Sequence, residues 1–203
     1  MWSLIGEGIP ETRLVGPRVL LRPPIRADAA AWAELRRISR DFLEPWEPSW
    51  AIDAATRAEF QRRRQRNVDE WRARTGYAFL IFHRDRGDLL GGIGLSNVRR
   101  GVADMASLGY WTGKPHARQG YMTEAVACAV AYAFDTLGLH RVEAACLPEN
   151  AASQGLLRKC GFHEEGLARG YLKIDGRWRD HLTFAVLNTD PRPAATGAGI
   201  RRP

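Results

Sequence analysis

Residues 104–124 read DMASLGYWTGKPHARQGYMTE. Alternation up to Trp111 predicts a strand, Gly113, Pro115 and Gly120 predict a tight polar turn, and the apolar spacing from Tyr121 to Leu137 predicts a helix. A strand, a turn and a helix start aim free backbone N–H groups and the positive end of the helix dipole at one point, which suits a phosphate or pyrophosphate. Gly120 allows the close backbone approach such a site needs. Two familiar phosphate motifs are absent. Gly113-Lys114 is followed by Pro115 rather than Ser or Thr, with no Gly five residues before Gly113, and no G-x-G-x-x-G opens the helix.

A second chemical cluster lies in SRDFLEPWEPSWAI, residues 39–52. Aromatics and carboxylates on an irregular segment predict a binding loop for a cationic group, with Trp46 as a wall and Glu44 or Glu47 as charge partner.

These stretches need a scaffold, and the remaining sequence supplies one. RVLLR at 18–22 predicts a strand ended by Pro23-Pro24, and residues 27–38 a helix with Asp28 in its first turn and Ala29, Trp32, Ala33 and Leu35 on its apolar face. A second helix runs from Asp53 to about Arg74, where Arg62, Arg63, Arg64 and Arg66 spread over a solvated face. YAFLIFH at 77–83, LLGGIGLSNV from Leu89 and DMASLGYW predict an antiparallel meander. After the helix from Tyr121, stopped by Gly138, HRVEAACL at 140–147 predicts a strand parallel to 104–112 through a right-handed crossover. Asn150 caps a short helix ending at Cys160-Gly161, and 162–174 with 181–188 form a final antiparallel pair around IDGRW. The order is β-α-α-β-β-β-α-β-α-β-β: one α/β (α+β) domain over residues 1–190 with a mixed sheet of about seven strands. Residues 191–203 are expected to be a disordered tail.

Composition narrows the function classes. The net charge of +7 comes almost wholly from arginine, since Lys114, Lys159 and Lys173 are the lysines. Arginine holds phosphates and carboxylates by paired hydrogen bonds, so acidic ligands or ribosomal RNA contacted through the Arg-rich helix are both consistent with it. Cys128, Cys146 and Cys160 have no metal-ligand spacing and fit a reduced, cytoplasmic compartment. MWSLIGEGIPE lacks the layout of a secretory signal, and AVACAVAYAF is far shorter than the ~20 residues a membrane span needs.

The element order and the phosphate-compatible turn resemble the GCN5-related N-acetyltransferase (GNAT) fold. The family's [Q/R]-x-x-G-x-[G/A] motif falls on Ala117 to Met122, with Gly120 at the central Gly and departures at Ala117 and Met122. Its N-x-x-[S/A] pattern matches Asn150 and Ser153, and its KxGF ending matches Lys159-Cys160-Gly161-Phe162. FLEPWEP at 42–48, SNVRRG at 96–101, LGYWTGK at 108–114, GYMTEA at 120–125 and IDGRWRDH at 174–181 resemble the RimJ-type ribosomal-protein alanine N-acetyltransferases, a subgroup that shares Met122.

The resemblance implies acetyl transfer from acetyl-CoA, without a metal, to the N-terminal amine of a ribosomal protein beginning with Ala or Ser. It implies that the backbone from Arg118 through Gln119, Gly120, Tyr121 and Met122 to Thr123 holds the pyrophosphate, that the amides of Trp111 and Thr112 polarise the thioester carbonyl, and that Asn150 holds the cofactor from the opposite side. The hydroxyl that many members place seven residues after the Asn is replaced here by Leu157. Ser153 is then the nearest proton donor, lying four residues earlier on the same helical face. Glu143 is the first candidate for general base, with Asp180, Glu47 and His181 open beside it. An α-amine, with a pKa of about 8, needs only a modest base. Transfer to a small amine such as an aminoglycoside or polyamine, and a ribosome- or RNA-binding module without catalysis, are the alternatives. Monomer and dimer are both open.

Overall fold

The computed structural model describes residues 4–5, 9–192 and 199–201, with side chains for 11–192. In chain order the elements are β1 (Leu4–Ile5), β2 (Ile9–Pro10), β3 (Arg13–Val15), β4 (Val19–Arg22), α1 (Ala29–Ile38), α2 (Arg40–Leu43), α3 (Arg57–Ala73), β5 (Tyr77–His83), β6 (Leu89–Arg99), β7 (Met105–Thr112), α4 (Tyr121–Ala131), β8 (Arg141–Cys146), α5 (Ala151–Lys159), β9 (His163–Ile174), β10 (Arg177–Leu187) and β11 (Gly199–Arg201). Among the described residues nine strands form one sheet in the order β11-β3-β4-β5-β6-β7-β8-β10-β9, and β1 and β2 form a separate pair. Within the large sheet β7 and β8 run parallel, joined through α4, and the other neighbours are antiparallel.

Local chemistry accounts for the element ends. Thr56 caps α3 by accepting a hydrogen bond from the Glu59 N–H at 3.2 Å, and Arg74 closes it in the left-handed region at φ 59°. The β9–β10 turn is Asp175-Gly176, with φ of 43° and 74°, the combination that a two-residue hairpin turn requires. Helix α4 buries Ala125, Val126 and Ala129 completely against the sheet, and its small residues permit that close approach. Ile81, Leu95, Leu108, Val142 and Phe184 belong to the main core, which also takes in α4. A smaller core on Trp32, Leu35, Phe60, Leu80, Phe82 and Leu89 joins α1 and α3 to β5 and β6.

Several expectations change. Residues 26–28 form a short 3-10 turn before α1. Rather than simply facing the dipole, the Asp28 carboxylate accepts from Ile25 N–H at 2.8 Å and from the Arg22 fork at 2.8 and 2.6 Å. Arg64, expected on a solvated face, is 3% exposed. Strands β3 and β11 extend the sheet beyond the seven expected, and β11 places Gly199–Arg201 antiparallel to Val15–Arg13. That part of 191–203 carries a strand where disorder was expected; residues 193–198 and 202–203 lie outside the described residues. No helix among the described residues is long and apolar enough to cross a membrane.

Candidate active site

The sheet opens between its two parallel strands. β7 and β8 are in register at Met105–Arg141, Ala106–Val142 and Ser107–Glu143. Beyond Ser107 the pairing stops, while β7 continues against β6 and β8 against β10. The strands thus splay, and half of the β7 backbone groups past Ser107 face the gap. The Gly113 N–H donates to Leu90 C=O at 2.9 Å. Counting back along the pleat turns the Trp111 amide toward β6, opposite Gly92, and turns those of Tyr110 and Thr112 into the gap. Of the two amides named from sequence, that of Thr112 faces the gap and that of Trp111 does not; the Tyr110 amide faces it as well. A one-residue phase error in a strand moves every backbone group to the other edge.

At the open end of the gap lies the turn into α4. Arg118 and Gly120 both have left-handed backbones, φ 59° and 82°. The first intrahelical bond is from Glu124 N–H to Gly120 C=O at 3.3 Å, so the amides of residues 121–123 point out of the helix end. The turn is held from three sides. Arg18 donates from its backbone N–H to Glu124 at 2.8 Å, from Nε to Glu124 at 2.6 Å, and from a terminal nitrogen to Gln119 C=O at 3.1 Å. Gln119 Nε2 donates to Pro115 C=O at 2.8 Å. Lys114 N–H donates at 2.9 Å to the hydroxyl of Ser39, which is fully buried at the end of α1. A rigid concave run of amides at a helix N-terminus is an anion site.

Across the gap Asn150 caps α5, its Oδ1 accepting from Ser153 N–H at 3.0 Å. The Ser153 hydroxyl lies 2.7 Å from the Tyr110 hydroxyl, so a side chain of one splayed strand reaches the helix that follows the other. Burial pushes the Tyr110 phenol above its ordinary pKa, against the opposing effect of the Ser153 hydrogen bond. Leu157 is fully buried in the main core. The hydroxyl missing from α5 thus has a counterpart contributed by β7. Sequence reasoning missed Tyr110 because its partner is 43 residues away; the available signal was its alternation with Leu108 on the core-facing side of a strand ending at the turn.

The acidic candidates are mostly engaged. Glu143 accepts from Arg141 Nε at 2.9 Å, and the same guanidinium donates to Glu165. Asp180 accepts from Gly170 N–H at 2.7 Å, and His181 is buried with its Nδ1 3.0 Å from Arg179 C=O. Glu47 receives the fork of buried Arg36 at 2.7 and 2.6 Å and the Trp50 indole N–H at 2.9 Å. The Arg36 guanidinium lies 4.0 Å from the Trp50 ring centroid and 5.0 Å from that of Trp111. Glu44 pairs with Arg40 at 3.1 Å, while Trp46 remains on the surface. Arg36 and Arg40 thus already engage Glu47 and Glu44. The loop is tied to the far hairpin by Asp175 N–H donating to Glu47 C=O at 3.1 Å. Among the described residues no group of three or more His, Cys, Asp or Glu could hold a metal ion.

The chain is similar to known proteins over most of its length. Residues 18–163 match the acetyltransferase (GNAT) domain. The chain is 40% identical over 181 residues to "Probable N-acetyltransferase YjcK" of Bacillus subtilis (strain 168), covering 87% of this chain and 98% of that protein. It is 34% identical over 187 residues to the ribosomal protein uS5-alanine N-acetyltransferase of Escherichia coli (strain K12), covering 92% and 96%. Among solved structures, Mycobacterium smegmatis RimJ in complex with CoA-disulfide superposes with a TM-score of 0.80 at 34% identity, covering 88% of this chain and 86% of the other.

Proposed function

The chain belongs to the GNAT acetyltransferase family, and from that premise we propose that it acetylates the N-terminal α-amine of a protein, a ribosomal protein beginning with Ala or Ser. It is an acetyl-CoA-dependent N-acetyltransferase. The observation that carries the reading is the splay between β7 and β8, with an amide-lined turn at one end and the Tyr110–Ser153 pair across it. The acceptor class rests on the similarity to the uS5-alanine enzyme over nearly the full length of both chains.

Each step then has a residue. The amides of Arg118 to Thr123 receive the pyrophosphate, and the side chain of Arg118 adds charge. The Tyr110 and Thr112 amides, turned into the gap, polarise the thioester carbonyl. Asn150 uses Oδ1 in its cap, which leaves Nδ2 to donate to the cofactor chain. The amine lone pair attacks the carbonyl carbon, the C–N bond forms and the C–S bond breaks. The leaving thiolate takes its proton from the Ser153 hydroxyl, backed by the Tyr110 phenol. The proton lost by nitrogen passes to water. Glu143, held by Arg141, acts on this reading through that water or not at all. A free α-amine with a pKa of about 8 is substantially neutral in mild alkali, so no strong base is required.

Release of free CoA from acetyl-CoA tests the reading, with peptides beginning Ala, Ser, Thr or Met and the same peptides blocked at the N-terminus. Release that needs the free N-terminus supports it. Release with small amines and none with any peptide overturns it.

A further inference from the structure

Opposite the main core, a cavity of about 330 Å³ runs beneath α3 from β5 to β7. Its floor includes Gly92, Gly94 and Gly109; the Trp111 indole covers Gly92, its Nε1 2.5 Å from where a Cβ would stand, and the floor is bare at Gly109. An added Cβ on Gly109 would meet nothing within 4 Å. Its roof is mixed: Phe60 and buried Arg64 lie on the face of α3 turned to the sheet, while Arg63, Asn67 and Glu70, at i, i+4 and i+7, line the cavity from the helix flank. Side chains that would fill the space are missing from one wall, and groups that would bind something polar line the other.

The charge of that wall is positive. Arg36, Arg63, Arg64 and Arg66 line the cavity against Glu47 and Glu70. Counting also Arg62 with its partners Glu59 and Asp53, five guanidiniums meet four carboxylates. Glu59 alone serves Arg62 and Arg63 at 2.8 Å and Arg66 at 3.5 Å. Arg66 is the loosest held, and its side chain is 59% exposed. The cavity reaches Gly109, Tyr110 and Trp111, on the strand that borders the splay. From β7 to β5 is about 10 Å, two strand spacings, or roughly three residues of extended peptide.

Building on the α-amine reading, we propose that this cavity receives an acidic side chain of the acceptor, so that the enzyme selects N-termini carrying Asp or Glu within about the second to fourth residue. Arg66 and Arg63 hold the carboxylate, and the glycine floor admits the acceptor backbone. The expected sign is the reverse of the cationic group that residues 39–52 suggest from sequence.

The test uses alanine-initiated peptides identical except for Asp, Ala or Lys at positions two, three and four, together with polyamine and aminoglycoside acceptors, on the whole protein and on Arg66→Glu. Both the surface position of Arg66 and an unchanged melting temperature guard against misfolding. The proposal expects kcat/KM at least about tenfold higher for an Asp peptide than for its Lys counterpart, loss of that preference in Arg66→Glu, and improved use of the Lys peptide by the variant. Peptides used without charge preference, or with a preference for Lys, overturn the inference while leaving α-amine transfer standing. An equal loss for all peptides in Arg66→Glu also overturns it. Acetylation of the polyamines and of no peptide overturns both readings.

Discussion

Removing the Tyr110 hydroxyl tests how the leaving thiolate is protonated. Tyr110→Phe keeps the ring in its place and deletes one partner of a 2.7 Å bond, leaving Ser153 with its backbone N–H on the Asn150 cap and its side chain beside the Cys146 thiol. A net loss of about 1 kcal/mol follows for a neutral hydrogen bond. In a domain of this size that lowers the melting temperature by ~2–4 °C, far too little to unfold it. Catalysis should suffer more, because a positioned proton donor contributes roughly 10²-fold or more. With saturating acetyl-CoA and an alanine-initiated peptide, CoA release should fall by about 10² in Tyr110→Phe and by a similar factor in Ser153→Ala. The double variant should be little slower than the slower single, since two hydroxyls acting as one relay lose their function together. The Tyr110→Phe enzyme turning over within twofold of wild type would refute the relay. Effects that multiply in the double variant would show that the two hydroxyls act separately.

Gly120→Ala should raise the KM for acetyl-CoA, because a side chain at φ 82° costs about 1–2 kcal/mol and its Cβ would stand 3.0 Å from the Arg18 guanidinium that positions the turn; titration with CoA measures it. Glu47→Ala should lower stability by about 2 kcal/mol, discounted from the ~3–5 of a fully buried pair because the Glu47 side chain is 21% exposed, and a melting-temperature drop of ~4–8 °C would be the sign. Gly109→Ala, opening onto free space, should melt within a few degrees of wild type yet raise the KM of peptide acceptors. Tyr110 and Tyr132 both have phenols raised by burial. The folded state therefore holds its phenolic protons longer than the unfolded one, and stability should be full below about pH 10 and fall as pH rises beyond it. Denaturant titrations at pH 8 and pH 11 would detect this, with a smaller alkaline loss in Tyr110→Phe.

The parts of the architecture with local causes were readable from sequence. YAFLIFH became β5 residue for residue, Asn150 became the cap it spells, and Asp175-Gly176 became the hairpin turn that dipeptide favours. The parts set by distant partners were not. Arg36 reads as a charge on a helix face, and only the fold brings Glu47, Trp50 and Trp111 around it. Strand β3 is three residues long and depends on β4 and β11 for its pairing, so no periodicity announces it. The phosphate-compatible turn was legible because its glycine and helix start are neighbours in sequence. The Tyr110–Ser153 contact was not, because it closes a gap whose width depends on where two strands stop pairing.

That stopping point also has a mechanical meaning. Three residue pairs, from Met105–Arg141 to Ser107–Glu143, are the strand-to-strand stitching between the β3–β7 side of the sheet and the β8–β10 side. Beyond these pairs the described links include α4, the Tyr110–Ser153 contact, and backbone bonds from His140 N–H to Asp104 C=O and from Asp175 N–H to Glu47 C=O. A plate cut nearly through bends at the uncut bridge, so the two halves should rock about this short seam, narrowing and widening the cleft while each half stays stiff. Amide exchange should then report slow, matched protection on either side and faster exchange at Ala106 and Val142 than at the centres of β6 and β10. The seam would act as a hinge as much as a join.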